Sequence, residues 1–226
     1  RDGTEQVIDP PTHCPFCETP IIRPEGSVDF YCPNVHCPER VQRQVEFFVS
    51  RGALDIDGMG SQTVKTLIEK QLIQDEADIF SLKPEPLLEL EGFGEKKVQK
   101  LMASIKAAKH RPFERVLAAL GIEGVGSTIA VDLAAHFGSI DRLMSASTDD
   151  IDALEGIGDV LAQGIAAWFK EPYHRMVLDK LIAAGVNMRA EERIAAGDQL
   201  TGLTFVLTGA LPTLSREQAE ALIMSH

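Results

Sequence analysis

One five-residue string recurs four times in this chain: aliphatic, acidic, glycine, apolar, glycine. It reads Ile56-Asp57-Gly58-Met59-Gly60, Leu90-Glu91-Gly92-Phe93-Gly94, Ile122-Glu123-Gly124-Val125-Gly126 and Leu154-Glu155-Gly156-Ile157-Gly158. The first glycines are 34, 32 and 32 residues apart, and a fixed period of that size marks a tandem array of one supersecondary unit. Each string is followed by a helix starter (Ser61, Glu95, Ser127, Asp159) and then by apolar residues at helical spacing, such as Val64, Leu67 and Ile68 or Val98, Leu101, Met102 and Ile105. Helical patterns also precede the strings, with Val41, Val45 and Phe48 before the first and Phe113, Val116, Leu117 and Leu120 before the third. The unit is helix, tight glycine hairpin, helix.

Glycine at both hairpin positions permits positive φ and leaves main-chain N–H groups open to close approach, at the place where the second helix presents its positive dipole end. Such a site suits a phosphate. The apolar residue between the glycines (Met59, Phe93, Val125, Ile157) is expected to point inward and pin the turn. Cations differ between repeats. Lys96, Lys97 and Lys100 follow the second hairpin and Lys65 the first; the third has only the hydroxyls of Ser127 and Thr128, and the fourth has Asp159. The expected order of phosphate contact is therefore second, first, third, fourth. The alternative for the lysines is a solvated helix face with i to i+4 partners. Asp57, Glu91, Glu123 and Glu155 suit turn and helix-start geometry better than catalysis.

Four cysteines, Cys14, Cys17, Cys32 and Cys37, lie within 24 residues as C-x2-C, a gap of 14, then C-x4-C. Two close pairs joined by a short arm can bring four thiolates to the corners of a tetrahedron, the geometry of a structural zinc site. Pro15 and Pro33 tighten the turns, and Ile21-Ile22 and Val28-Asp29-Phe30-Tyr31 read as two short strands of a zinc ribbon or knuckle. Two disulfides or a redox C-x-x-C pair are the alternatives; the first needs an oxidising compartment and the second leaves one pair unexplained. His13 and His36 adjoin ligands and are read as bystanders. A shell filled by protein leaves no position for substrate, so the metal is expected to be structural.

Net charge is −12, which opposes binding to a polyanion through overall positive potential. The charge is uneven: residues 41–110 carry 10 basic and 11 acidic side chains, whereas 111–185 carry 6 and 11. A polyanion site is more plausible in the earlier stretch. No apolar run approaches the roughly 18 residues of a membrane span. Neither a nucleophile paired with a base nor a phosphate-cradling P-loop is found, which argues against an independent enzyme. Arg1 in place of an initiator Met suggests a piece of something longer.

Toward the C-terminus, Asn187 to Gln199 lose helical period and read as a linker, after which Leu200 to Gly209 look like a buried strand entering a turn and Ser215-Arg216-Glu217-Gln218 a capping box opening a helix. The 27 residues 200–226 are too few to bury a core.

The glycine repeat resembles the helix-hairpin-helix motif, which implies binding to the DNA backbone across the minor groove without base readout. Residues 200–226 resemble the start of a BRCT domain, with Thr208 and Gly209 where that family places a phosphate-contacting pair. The order of parts resembles the C-terminal half of a bacterial NAD-dependent DNA ligase. The expected fold class is mostly α: a small four-cysteine zinc ribbon or knuckle, tandem helix-hairpin-helix repeats and a truncated α/β BRCT start. The expected division is a linker 1–13 from a missing upstream domain, zinc finger 14–40, double helix-hairpin-helix units 41–110 and 111–185, a linker 186–199 and an incomplete BRCT domain 200–226. Phe113, Leu117, Leu133, Phe137, Leu161, Ile165, Trp168 and Phe169 are the expected core of the second unit.

The resemblance implies that the parent enzyme adenylates a K-x-D-G lysine with NAD, transfers AMP to the 5′-phosphate of a nick and seals it onto the 3′-hydroxyl, with magnesium. No lysine here begins K-x-D-G, so the chain alone is expected to be inactive and to grip DNA. Carried over onto this sequence are the four cysteines as zinc ligands and Gly58, Gly60, Gly92, Gly94, Gly124, Gly126, Gly156 and Gly158 with Lys65, Lys96 and Lys97 as phosphate contacts. Lys100, Ser127 and Thr128 join them by position. The C-x4-C spacing is one residue shorter than expected in many relatives, which affects loop shape. Nicked duplex DNA, a monomeric state, a cytoplasmic, nucleoid-associated location and a protein or DNA contact through the complete BRCT domain follow from the same resemblance. The alternatives are a protein-interaction scaffold and the DNA-gripping subunit of another repair complex.

Overall fold

Proline and glycine set most of the helix boundaries. In the computed structural model, which describes residues 10–23, 28–190, 203, 205–207, 214, 219, 222 and 223, proline stands in the first turn of α1 (Pro38–Val49), α3 (Pro84–Leu88) and α10 (Pro172–Ala183). Its missing N–H is no loss there, because the first-turn amides have no intrahelical acceptor. Glycine is the N-cap of α2 (Ser61–Glu69), α4 (Glu95–Ala108), α6 (Ser127–Phe137) and α9 (Asp159–Lys170). Gly138 ends α6 in the left-handed conformation, its N–H donating to the Ala134 carbonyl at 2.9 Å. A 3-10 turn (Glu76–Ser81), α5 (Phe113–Ala119), α7 (Ile140–Ser145) and α8 (Thr148–Asp152) complete the order. Ser147 and Asp150 form a reciprocal capping box at the start of α8.

The chain is mostly helical, as its period implies. The two short strands expected at Ile21-Ile22 and Val28–Tyr31 are a correction: among the described residues the cysteine-rich segment holds isolated antiparallel bridges, His13 with Pro20 and Ile22 with Tyr31. The two segments do meet at Ile22 and Tyr31, which exchange N–H···O bonds of 3.0 and 3.1 Å. Of the expected opening strand and helix of a BRCT domain, Thr208, Gly209 and Ser215 lie outside the described residues; residues 203 and 205–207 are described without strand, and 219, 222 and 223 are helical.

The described residues fall into two units, one within residues 1–190 and the other within 191–226. In the first, one apolar cluster runs from Val41 to Met188 through both tandem pairs of repeats. Phe113, Leu117, Leu133, Phe137, Ile165 and Phe169 are buried in it; Leu161 and Trp168 are only partly buried, and Trp168 stacks on His174 with ring centroids 4.1 Å apart. Polar ties add to it. Lys180 on α10 donates to Asp75 (2.5 Å) and Asp78 (2.6 Å) at the 3-10 turn. Past residue 185, within the stretch read as linker from 186, the chain stays packed: Val186 and Met188 are buried, the Asn187 N–H donates to the Lys109 carbonyl at 2.8 Å and the Ala190 N–H to the Gly138 carbonyl at 2.9 Å. Polar sequence concealed this, because the ties are main-chain bonds that any residue can make. No helix among the described residues is long and apolar enough to cross a membrane.

Candidate functional site

The cysteine-rich segment is built by two turns. The Cys14 N–H donates to the Thr19 carbonyl (2.8 Å) and the Glu18 N–H to the Cys14 carbonyl (2.9 Å), with Glu18 at positive φ. At the second turn the His36 N–H donates to Asn34 Oδ1 (2.9 Å) and the Cys37 N–H to the Asn34 carbonyl (3.1 Å). These turns bring all four sulfurs within 4.8 Å of one another. Cys14 and Cys37 Sγ are 3.8 Å apart and Cys17 and Cys32 Sγ 3.5 Å. Tetrahedral zinc with Zn–S bonds of about 2.3 Å requires sulfur separations of about 3.8 Å, so the donor set fits; bonded sulfurs would be about 2 Å apart, and all four cysteines are free.

The thiols are not equivalent. Hydrogen bonding with the Thr19 side chain, and then with its main chain, holds Cys17 down at about 6, whereas burial pushes Cys37 up. The four sulfurs would hold the ion, with Cys17 giving up its proton most readily and the Cys37 thiolate, which burial opposes, gaining most from the bound charge. Cys37 is also the N-cap of α1, which joins the metal site directly to the helical unit and sets a thiolate at a positive dipole end. His13 and His36 lie outside the four-sulfur cluster. His36 packs edge-on against Tyr173 of α10 at 5.2 Å.

The four glycine strings adopt one local geometry. In each, the N–H of the central apolar residue donates to the carbonyl three residues back: Met59 to Ile56 (3.3 Å), Phe93 to Leu90 (3.1 Å), Val125 to Ile122 (2.9 Å) and Ile157 to Leu154 (3.1 Å). The first glycine takes positive φ, at 89°, 77°, 79° and 85° for Gly58, Gly92, Gly124 and Gly156, the requirement of a type II turn at its third position. Met59, Phe93, Val125 and Ile157 are all buried, as expected for a pinned turn, while all eight glycines are exposed.

The second glycines differ from the first in what they need. Gly60, Gly94, Gly126 and Gly158 have φ of −67°, −74°, −82° and −99° with extended ψ, conformations open to any L residue. A Cβ built on any of the four meets nothing within 4 Å. Neither backbone geometry nor internal packing asks for glycine there. Among the described residues, the N–H groups of these glycines and of the next two residues donate to no acceptor, as the open end of a helix dictates. Each hairpin thus presents three convergent donors on a surface kept clear of side chains.

The structure separates the lysines grouped by sequence. Lys97 folds back, its Nζ 3.6 Å from the centroid of the Phe93 ring, and Lys65 pairs with Glu69 at 3.8 Å. Lys96 and Lys100 are exposed, and neither forms an ion pair among the described residues. Ser127 and Thr128 are exposed at the start of α6. The fourth hairpin carries Asp159 in its first helical turn and an 86% exposed Val160, with Asp149, Asp150, Asp152 and Glu155 nearby in sequence. Sequence reasoning missed Arg111 and Arg115. Both reach main-chain carbonyls 56 to 64 residues earlier, a pairing with no signal in local spacing.

A four-thiolate metal centre joined to tandem helix-hairpin-helix repeats defines a class of zinc-braced repeat proteins. In family comparison, residues 13–38 match the NAD-dependent DNA ligase C4 zinc finger domain, 50–107 the SAM-like helix-hairpin-helix tandem and 115–178 the helix-hairpin-helix motif. Across its whole length the chain is 46% identical to a protein named DNA ligase from Roseiflexus sp. (strain RS-1) and 47% identical to one from Chloroflexus aurantiacus (strain ATCC 29366 / DSM 635 / J-10-fl). Over 99% of its length it is 41% identical to the DNA ligase of Gemmatimonas aurantiaca (strain DSM 14586 / JCM 11422 / NBRC 100505 / T-27). The chain spans 32% of the length of each of these relatives. The chain carries the C4 zinc finger domain of NAD-dependent DNA ligases followed by helix-hairpin-helix domains, and its four cysteines form a structural zinc site.

Proposed function

We propose that this chain is the DNA-gripping part of an NAD-dependent DNA ligase and holds duplex backbone around a nick without reading sequence. The observation that carries the reading is glycine at four helix N-caps where this chain's own geometry leaves room for a side chain. Space kept open on the surface, lined by three unused N–H donors and a helix dipole, suits a phosphate arriving from outside. Affinity through main-chain donors also reconciles a net charge of −12 with a polyanion ligand. The hairpins rank second, first, third, fourth. Lys96 and Lys100 supply mobile charge beside the second, while Asp159 and its acidic neighbours oppose phosphate at the fourth.

On this reading the zinc module, residues 14–40, braces the helical pairs 41–110 and 111–185. The parent enzyme, through domains outside this chain that bind NAD and magnesium, joins 5′-phosphate to 3′-hydroxyl ends, and the chain by itself is monomeric and catalyses nothing. A second reading, a protein-binding scaffold, is favoured locally by the acidic fourth hairpin and the exposed Val160.

The two are separated by titrating labelled intact and nicked duplexes at low and moderate salt. Weak, sequence-independent binding is expected, with log affinity falling linearly with log salt. Lys96→Gln with Lys100→Gln should reduce that slope by about 2. Gly94→Val should keep helical content and zinc while duplex affinity falls on the order of tenfold, because a branched side chain covers the donors. A zinc-loaded protein with no duplex affinity at low salt would overturn the DNA reading.

A further inference from the structure

The first hairpin is the odd one of the four. The connections between its helices and their counterparts are 50–60 for α1–α2, against 89–94, 120–126 and 153–158 for the others, so eleven residues stand where the rest have six or seven. A longer connection has more conformations to lose and holds its turn less firmly to the preceding helix. Main-chain bonds tie part of it back to the end of α1, the Leu54 N–H donating to the Phe48 carbonyl (3.1 Å) and the Ile56 N–H to the Val49 carbonyl (3.0 Å), and further ties come from elsewhere in the chain.

Two arginines at the start of the second tandem pair reach that connection. Arg115 donates through Nε to the Ala53 carbonyl (2.8 Å) and through Nη2 to the Arg51 carbonyl (2.7 Å). Arg111 donates through Nε to the Leu54 carbonyl (3.0 Å) and through Nη2 to the Asp55 carbonyl (3.3 Å) and carboxylate (2.9 Å). Four carbonyls of the α1–α2 connection, those of Arg51, Ala53, Leu54 and Asp55, are thereby held from α5 and the residues before it. Asp55, at the end of the clamped segment, takes a positive φ of 54°, a conformation a non-glycine residue keeps only when its surroundings impose it. From the other side, Ser104 of α4 accepts the Asp57 N–H at 2.8 Å.

We infer that Arg111 and Arg115 are positioning residues that set the first hairpin on the same DNA-facing surface as the other repeats, and are not phosphate ligands. The inference rests on the DNA-grip reading above. In a DNA-binding chain two arginines beside a helix start invite assignment to the phosphates; here the planar fork is spent on main-chain carbonyls, which lysine, a single point charge, cannot span in the same way.

The test is lysine substitution. Arg111→Lys with Arg115→Lys, and the matching pair of alanine substitutions, are titrated with duplex DNA beside the unaltered chain. A positioning role predicts that the lysine pair loses affinity on the order of tenfold, as much as the alanine pair. In the free protein the amide resonances of Gly58 and Gly60 should move while those of Gly92 and Gly94 stay. Coupling locates the effect. On a Gly60→Val background the lysine pair should cost nothing further, whereas on a Gly94→Val background its full cost should remain. Wild-type affinity with the lysine pair overturns the inference, pointing to phosphate contact if the alanine pair is weakened and to no role if it is not. If a double variant fails to fold, Arg115→Lys alone carries the same amide-shift and coupling readouts. Failure of the unaltered chain to bind any duplex sinks the DNA-grip reading instead, so the two failures are distinct.

Discussion

Stripping zinc, or replacing Cys14 and Cys37 by serine, is expected to unfold residues 10–37 and leave α2 to α10 standing. The reason is the absence of an alternative core. Among the described residues of that segment the buried hydrophobic side chains are Cys14 and Cys37, whereas Phe16, Ile22, Val28, Phe30 and Tyr31 are exposed. The metal takes the place of an apolar interior, and structural zinc in small finger peptides contributes about 10–16 kcal/mol near neutral pH. The helical unit keeps its own apolar cluster from Val41 onward. Amide dispersion for residues 10–37 should collapse while helical ellipticity falls only by the first turn of α1, which loses its Cys37 cap. Lowering the pH should release zinc, since protons compete for the thiolates. A metal-free protein that keeps native amide shifts in residues 10–37 would show that the turns stand without the ion.

Glu76→Gln should raise stability at pH 8 by about 3 kcal/mol and change nothing near pH 4. Glu76 is 4% exposed, and its hydrogen bond from Gln44 Nε2 is long at 3.4 Å. Burial pushes its carboxyl up to about 7, with hydrogen bonding to its own main chain acting the other way and Asp75 adding repulsion. Because the folded value lies above the unfolded one, the protonated side chain is tolerated fully below about pH 4.5, and the stability is lost as pH rises through about 7. Glutamine removes the charge and keeps an amide able to pair with Gln44. In a unit of this size the gain at pH 8 corresponds to a melting-temperature rise of roughly 6–12 °C. Parallel stability–pH curves for the two proteins between pH 5 and 8 would mean that Glu76 ionises in the fold without penalty.

Much of the candidate site was legible because it is local. A turn that needs positive φ at Gly58, Gly92, Gly124 or Gly156, or two cysteines set to meet at one metal, involves residues only a few positions apart, and composition records such constraints directly. The burial of Met59, Phe93, Val125 and Ile157 followed from the same short-range logic. Where Lys97 lies was not legible, because a lysine's reach allows it either to extend toward solvent or to fold onto its own hairpin's Phe93, and spacing does not choose between them. The segments expected as strands near the cysteines pair at Ile22 and Tyr31, as an isolated bridge among the described residues.

From its amino acids alone this chain was committed to four glycine-turned helix pairs and one four-sulfur metal site, since bond rotation and ligand number act over a handful of neighbouring residues. Only the packed molecule decided which cations remain available, where the first hairpin is held and how far past residue 185 the chain stays docked. Those outcomes depend on carbonyls and carboxylates brought close by folding from dozens of residues away, such as Leu54 to Arg111 or Asp75 to Lys180, and a guanidinium finds such partners through space without leaving a periodic trace in the sequence.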